Sequence, residues 1–572
     1  MIAAFAYLIG TSTRNRFTAQ FQRLRNPRYA IAAVVGIAYF VFIFWSRSSG
    51  RSAGARSPLL GPTVEALSPL LILFVLGGSW LFRGDRSALA FTEAEVAMLF
   101  TAPVTRRGLI VYKLVRSQVT ILFSVLIWSL LLRRGNTALP VPFSAVAFWA
   151  LFTTLSLHRL GAALVRAATV EHGAAGARRN WVPIAAALAF VVIVMAQMGD
   201  TQADLSGGSG PAGLMNRLTE FLASAPVRTA LYPVRLVLAP AFALSVTAWG
   251  RAMLPALGVL VLHVIWVLRS DTAFEEAAAV ASAERARQIE SMRQRRGGGG
   301  IPSPRANAKL RTIRLAPVGS PAVAIFWKNI IGLTRGTSYA LIVGPLVIAF
   351  ALAITLSRGR GDLPQTIAFV CIVVTGVLML IGGRALRNDL RSDMLHLPML
   401  KSLPLGGGQL VLAEVASGTF PLAVLQLLLI SVAFGANVLT VKPVLAGDVR
   451  LALLLVAPVV LLAFNAASFT ILNGTAVLFP AWIRLGPSGP GGIEAMGQQI
   501  LTTFGTWVAL ALMLILPAFL CRGIMVVGGD GDAVAIAIGF LTGSLVLGVE
   551  TYGVVRWLGR VYERAEPSHV AQ

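Results

Sequence analysis

LALLLVAPVVLLAFNAASFTIL, residues 451–472, contains no ionisable side chain. At a rise of about 1.5 Å per residue, a helix of this length reaches across the roughly 30 Å hydrocarbon core of a bilayer. Such a run does not stand alone. Comparable apolar stretches fall near residues 29–45, 64–82, 108–132, 142–165, 181–198, 253–269, 338–357, 364–383, 409–434, 449–472, 501–521 and 533–556. The chain as a whole agrees: of 572 residues, 56% are hydrophobic and 13% charged, with a mean hydropathy of +0.76. A soluble domain carries about 25% charged residues. The sequence therefore predicts an all-α, polytopic membrane protein with about twelve transmembrane helices, since helices close their backbone hydrogen bonds within the segment and lipid offers no substitute.

The formal charge is +25. In a soluble protein that excess points to nucleic acid, because a basic face releases counterions from phosphate. Here the arginines sit beside the apolar runs, where the positive-inside bias and anionic headgroups account for them, so no nucleic-acid partner is expected. With both termini placed in the cytoplasm, about 34 Lys and Arg fall on the inner side and about 14 on the outer. Arg47, Arg51 and Arg56 run against this trend. Cys371 and Cys521 lie far apart without CxxC spacing, and the five histidines show neither HxxxH nor HExxH, so neither a disulfide framework nor a metal site is expected.

Residues 1–28 combine Phe5, Leu8, Phe17, Phe21 and Leu24 on one helical face with Arg14, Arg16, Arg23, Arg25 and Arg28 between them, the pattern of an interfacial amphipathic helix. No small-residue cleavage site follows the next apolar run, which reads as retained. Residues 29–269 form a first half of six spans. Within it, Pro226, Pro233 and Pro240 interrupt residues 226–250 and predict a kinked span or re-entrant hairpin. Residues 270–320 read as a charged cytoplasmic helix, with Thr272 and Glu275 as a capping box, followed by a linker rich in Gly, Pro and basic residues. Residues 321–557 form a second six-span half, and 558–572 a cytoplasmic tail. The halves share a register. At an offset of 301 (384 − 83), Arg83 matches Arg384, Arg86 matches Arg387, Met98 matches Met399, Pro103 matches Pro404 and Leu109 matches Leu410. This predicts a duplication.

Between the second and third spans of the first half lies FTEAEVAMLFTAPVTRRGLIVYKLVRSQ, residues 91–118. Glu93 and Glu95 with Val96, Leu99 and Phe100 make a short amphipathic helix that Pro103 ends, and Arg106 and Arg107 mark the return to the membrane. Together with the basic amphipathic start and RNPRY (25–29), this stretch resembles the bacterial ABC exporter membrane proteins, relatives of the type-two ABC permeases. The resemblance implies an elbow helix on the membrane and a coupling loop at 83–107 that docks into a separate soluble P-loop ATPase on the cytoplasmic side. By the same resemblance, Phe91, Glu93, Glu95, Phe100, Pro103, Arg106 and Arg107 would make that contact, in the bacterial inner membrane. The second-half loop, 384–408, keeps Asp393, Leu403 and Pro404 but has Gly406 and Gly407 in place of the arginine pair.

No GxxxxGK[ST] string occurs, so nucleotide chemistry is expected from the partner, and this chain is expected to be a permease rather than an enzyme, with no cofactor of its own. Leu205–Gly208 read LSGG, but in a short Gly/Ser loop with no phosphate-binding domain around it. Ionisable residues at membrane depth are functional candidates, each costing about 2.5 to 3.5 kcal/mol at a helix centre. These are Arg159 beside His158, His263, Glu414 and Glu550, with polar Gln118, Gln426, Asn465 and Asn473. Glu414 and Lys113 occupy one repeat position, which allows a pair bridging the halves. The reading is an exporter permease moving an unidentified substrate. An ion-coupled secondary transporter, or a membrane-embedded lipid-modifying enzyme, stays open as an alternative.

Overall fold

The computed structural model describes residues 2–27, 105–131, 139–171, 224–269, 318–335, 363–439, 446–480, 496–529 and 531–565, with isolated positions between 29 and 102 and at 222. All regular structure among the described residues is helical. Eight helices there are long and apolar enough to cross a bilayer. The expected spans near 181–198 and 338–357, the charged helix after Arg269 and the Gly/Pro linker lie outside the described residues, as do most of 29–45 and 64–82.

The chain divides into two compact units. One comprises residues 1–206, 215–291 and 490–502; the other comprises 207–214, 292–489 and 503–572. In the first, α1 (Ile2–Arg23) is a single helix, with Tyr7 and Phe21 exposed. Helix α2 (Arg106–Leu131) packs on α3 (Val141–Glu171). Ile121 and Val125 meet Phe148, Leu151, Phe152 and Leu155 there, and Val237 and Leu238 close the same cluster. The proline-broken stretch becomes two short helices, Ala225–Ala230 and α4 (Tyr232–Phe242). Pro226 and Pro233 each occupy the first turn of one, where the missing N–H leaves no partner wanting, and Pro240 lies inside α4. Helix α5 (Val246–Arg269) starts earlier than its apolar run, because Ser245 Oγ accepts from Ala248 N at 3.2 Å and caps it.

In the second unit, α6 (Pro321–Arg335) precedes α7 (Leu363–Val377). The ladder of α7 slips into a π segment, Leu378–Gly382, before a last turn at Gly383–Ala385. Then come α8 (Gly407–Val438), α9 (Gly447–Leu478), α10 (Met496–Gly528) and α11 (Ala533–Glu563). Helices α8, α9 and α11 pack against one another around Leu410, Val411, Leu422, Phe469, Ala476, Leu558 and Tyr562. Phe469 is fully buried because Gly418 leaves its ring room: a Cβ there would stand 2.3 Å from the ring. Leu512, Ile515 and Phe519 of α10 remain exposed, as suits a face whose solvent is hydrocarbon.

Helices α2 and α8 begin at Arg106 and Gly407 (407 − 106 = 301). Leu109 and Leu410 are both buried, at 2% and 1% exposure, while Met98 and Met399 are both exposed, at 62% and 63%. This register sets Arg106 and Arg107 opposite Gly407 and Gly408, one position later than the loop sequences read.

Candidate functional site

The loop from Leu386 to Leu405 connects α7 to α8 and is a folded object. Leu386 turns extended, and Asp389 caps the short helix Leu390–Asp393, its Oδ1 accepting from Arg391 N at 3.1 Å. A 3-10 turn, Met394–His396, leads into a second short helix, Leu397–Lys401, with Pro398 in its first turn. Leu386, Leu390, Met394, Leu397 and Leu400 recur every three or four residues and all face the core. The opposite face presents Pro398, Met399, Lys401, Ser402 and Pro404 to the outside.

Buried polar bonds fasten this knob to its surroundings. The guanidinium of Arg391, 6% exposed, donates Nε–H to both oxygens of Asp389 at 2.9 Å and Nη2–H to the carbonyls of Gly383 (2.6 Å) and Leu386 (2.5 Å). The carbonyls freed where α7 ends thus find a charged donor. Asn473 of α9 accepts from Leu390 N at 2.9 Å and donates to Phe469 O at 2.9 Å. Lys328 of α6 pairs with Asp393, and Asn388 Nδ2 donates to Asn329 O. On α11, Glu563 Oε1 accepts from Gly407 N at 2.8 Å, while Lys401 Nζ donates to the carbonyls of Glu563, at 3.2 Å, and Ala565. Backbones touch where α8 begins: a Cβ on Gly559 would lie 2.4 Å from Gly408 N.

Deeper in the spans the polar residues pair among themselves. Asn329 Nδ2 donates to Glu414 Oε2 at 2.6 Å and to Ser417 Oγ at 3.0 Å. Asn465 Nδ2 donates to Gln426 Oε1 at 2.6 Å between α8 and α9. In the first unit, Gln118 Oε1 accepts from Trp149 Nε1 at 3.0 Å and Thr153 Oγ1 at 3.3 Å. His263 Nδ1 donates to Val259 O at 2.8 Å, which leaves Nε2 to accept from His158 Nδ1 at 3.2 Å. Trp266 packs against both imidazoles.

Of the residues singled out by sequence, Phe91, Glu93, Glu95, Phe100 and Pro103 lie outside the described residues. Arg106 and Arg107 open α2, whose first turn is capped by Thr105 Oγ1 accepting from Gly108 N at 3.2 Å. Asp393 is held by Lys328, Leu403 packs against the core, and Pro404 is exposed. Arg159 and Glu550 are half-buried on α3 and α11. Glu414 takes its hydrogen-bond partner from Asn329, inside its own unit. Sequence reasoning missed Lys328, Asn329, Asp389 and Arg391. The signal for the last two was the alternation of charge in RNDLR (387–391), placed where a span must end. Among the described residues, no group of three or more His, Cys, Asp or Glu gathers as metal ligands do.

A family model described as "Putative ABC exporter" matches residues 2–551, and the chain belongs to that family. No curated protein and no solved structure matches it.

Proposed function

We propose that this member of the ABC exporter family is the membrane-spanning permease subunit, moving its substrate outward on work supplied by a separate P-loop ATPase that docks on the loops after the second span of each half. Its full complement would be twelve spans in two repeated halves, in the bacterial inner membrane, with both termini in the cytoplasm. One observation carries the reading: the 386–405 loop is a rigid knob with an outward face and an inward set of bonds to α6, α9 and α11. A floppy connection would absorb a push, whereas this one passes it on to three helices. ATP-bound and ATP-free ATPase would differ in their contact with that face, and that difference is what shifts the equilibrium between pathway states. Small residues where helices cross, such as Gly407 and Gly559, permit the close packing through which such a displacement travels.

Glu93, Glu95, Arg106 and Arg107 would make the matching contact in the first half. The chain is expressed with ATPases encoded beside it, and the complex is captured from detergent. Replacing these four residues by alanine is expected to release the ATPase. Undiminished binding refutes the docking assignment.

A further inference from the structure

Helix α11 carries one continuous outward stripe. Val534, Ile538, Leu541, Leu545, Val549 and Tyr552 recur every three or four residues, and all are exposed, between 43% and 68%. From Val534 to Tyr552 the stripe runs about 27 Å at 1.5 Å per residue, close to the roughly 30 Å of a bilayer's hydrocarbon core. The next two positions in the same progression are Arg556 and Arg560, both exposed. A phospholipid lying along the stripe therefore sets its chains against apolar side chains and its headgroup beside two arginines.

The charge of these arginines is unmatched within the described residues. Neither Arg556 nor Arg560 makes an ion pair there. Of the carboxylates at this end of the unit, Asp389 is held by Arg391 and Asp393 by Lys328, Glu414 is buried against Asn329, and Glu563 Oε1 accepts from Gly407 N. Glu550 is half-buried and stands about 120° round the helix from Arg556. Arg384, Arg387, Lys401 and Arg564 only add positive charge.

The direction of the helix sets the depth of the two guanidinium groups. Cα–Cβ bonds tilt toward a helix's N-terminus, and α11 reaches this end by its C-terminus, so those of Arg556 and Arg560 point back toward the bilayer. The Arg556 guanidinium follows: its Cζ stands 5.9 Å from the centre of the Tyr552 ring, one turn deeper. Tyr552 and Trp557, both exposed, are ring-bearing side chains of the kind that gather at headgroup level. Four residues apart on one face, two guanidinium groups can flank a single phosphate, whose oxygens match their planar forks.

We propose that Tyr552, Arg556 and Arg560 form a binding site for one anionic phospholipid, its phosphate between the two guanidinium groups and its chains along Val549, Leu545 and Leu541. The lipid supplies the negative charge this face lacks. Its seat lies one turn before Glu563, which ties α11 to the start of α8, and so adjoins the root of the knob. The site stands apart from the docking of an ATPase: either can fail without the other.

The full chain, purified in detergent, is titrated with phosphatidylglycerol or with phosphatidylcholine of the same acyl chains, and bound lipid is counted by native mass spectrometry. The wild type is expected to hold one phosphatidylglycerol at least about tenfold more tightly than phosphatidylcholine, and the double variant Arg556→Gln with Arg560→Gln to lose that lipid. Arg251→Gln with Arg269→Gln removes the same charge from exposed positions of α5 and is expected to keep it. Equal retention by the wild type and the first variant, equal loss from both variants, or no preference for phosphatidylglycerol overturns the proposal. So does displacement of the lipid by inorganic phosphate at equal concentration, which marks a site for a free anion. Should the first variant fail to fold, Arg560→Gln alone, which leaves the contact of Arg556 with Tyr552 in place, is held to the same criterion.

Discussion

At the scale of single residues, the sharpest constraints are contacts that tolerate no added atom and polar groups that tolerate no lost partner. A Cβ at Gly559 would meet the backbone of Gly408, not a flexible side chain, so the helices themselves must part. Gly559→Leu is expected to destabilise the protein by about 1–3 kcal/mol, the usual cost of overpacking, seen as a lower thermal midpoint in detergent. Asn473→Leu removes the acceptor of a buried backbone N–H at Leu390. Leaving that donor unsatisfied costs about 1–3 kcal/mol, and hydrogen exchange should rise at residues 390–393 while the centre of α9 stays protected. These two positions also mark what a single sequence reveals. Asn473 is conspicuous as an amide within an apolar run, because hydrocarbon makes any polar group there expensive. Gly559 is not, since one glycine among 55 carries no sign of the backbone that will approach it.

At the scale of elements, eight of the expected spans stand among the described residues where the apolar run was long, and their ends were legible wherever a cap or proline fixed them. Helix α8 begins near the start of its apolar run because Gly406 takes an extended conformation, whereas α5 reaches back to Val246 across residues whose composition did not announce a helix. The π segment at Leu378–Gly382 was invisible, since LMLIG reads as unbroken hydrocarbon. It is held by a partner distant in sequence, Trp507, whose Nε1 donates to Leu380 O at 3.2 Å. Such π turns recur at functional positions, and this one sits one turn before the knob. Trp507→Phe keeps the ring and loses the bond. It should cost about 1 kcal/mol in unfolding free energy, with faster exchange confined to the end of α7. For the knob itself, Met399 is its most exposed apolar side chain, and its repeat mate Met98 is equally exposed. Met399→Asp is expected to weaken ATPase binding about tenfold or more, or at least 1.4 kcal/mol, without lowering the thermal midpoint of the free permease.

At the scale of the whole chain, orientation decides whether the knob faces ATP at all, and the second unit carries its own parity check. Between Lys401 and Glu563 the chain runs through α8, α9, α10 and α11, each long and apolar enough to span. Four crossings return it to the side it left, and the bonds from Lys401 to the carbonyls of Glu563 and Ala565 require that return. An unnoticed re-entrant helix among the four would have carried the two ends to opposite faces. The end shared by the loop and the close of α11 holds Arg384, Arg387, Arg391, Lys401, Arg556, Arg560 and Arg564 against Asp389, Asp393 and Glu563, while Asp448, Arg450 and Asp532 stand at the starts of α9 and α11 on the other. By the positive-inside bias, this asymmetry predicts that the loop end of the unit faces the cytoplasm. Single cysteines test this in a background where Cys371 and Cys521 are replaced by alanine. Leu439→Cys, exposed just after α8, should react with a membrane-impermeant maleimide in intact cells, and Ser402→Cys only once the membrane is opened. The reverse pattern would point Met399 away from the nucleotide, and no cytoplasmic ATPase could then drive the helices through this loop.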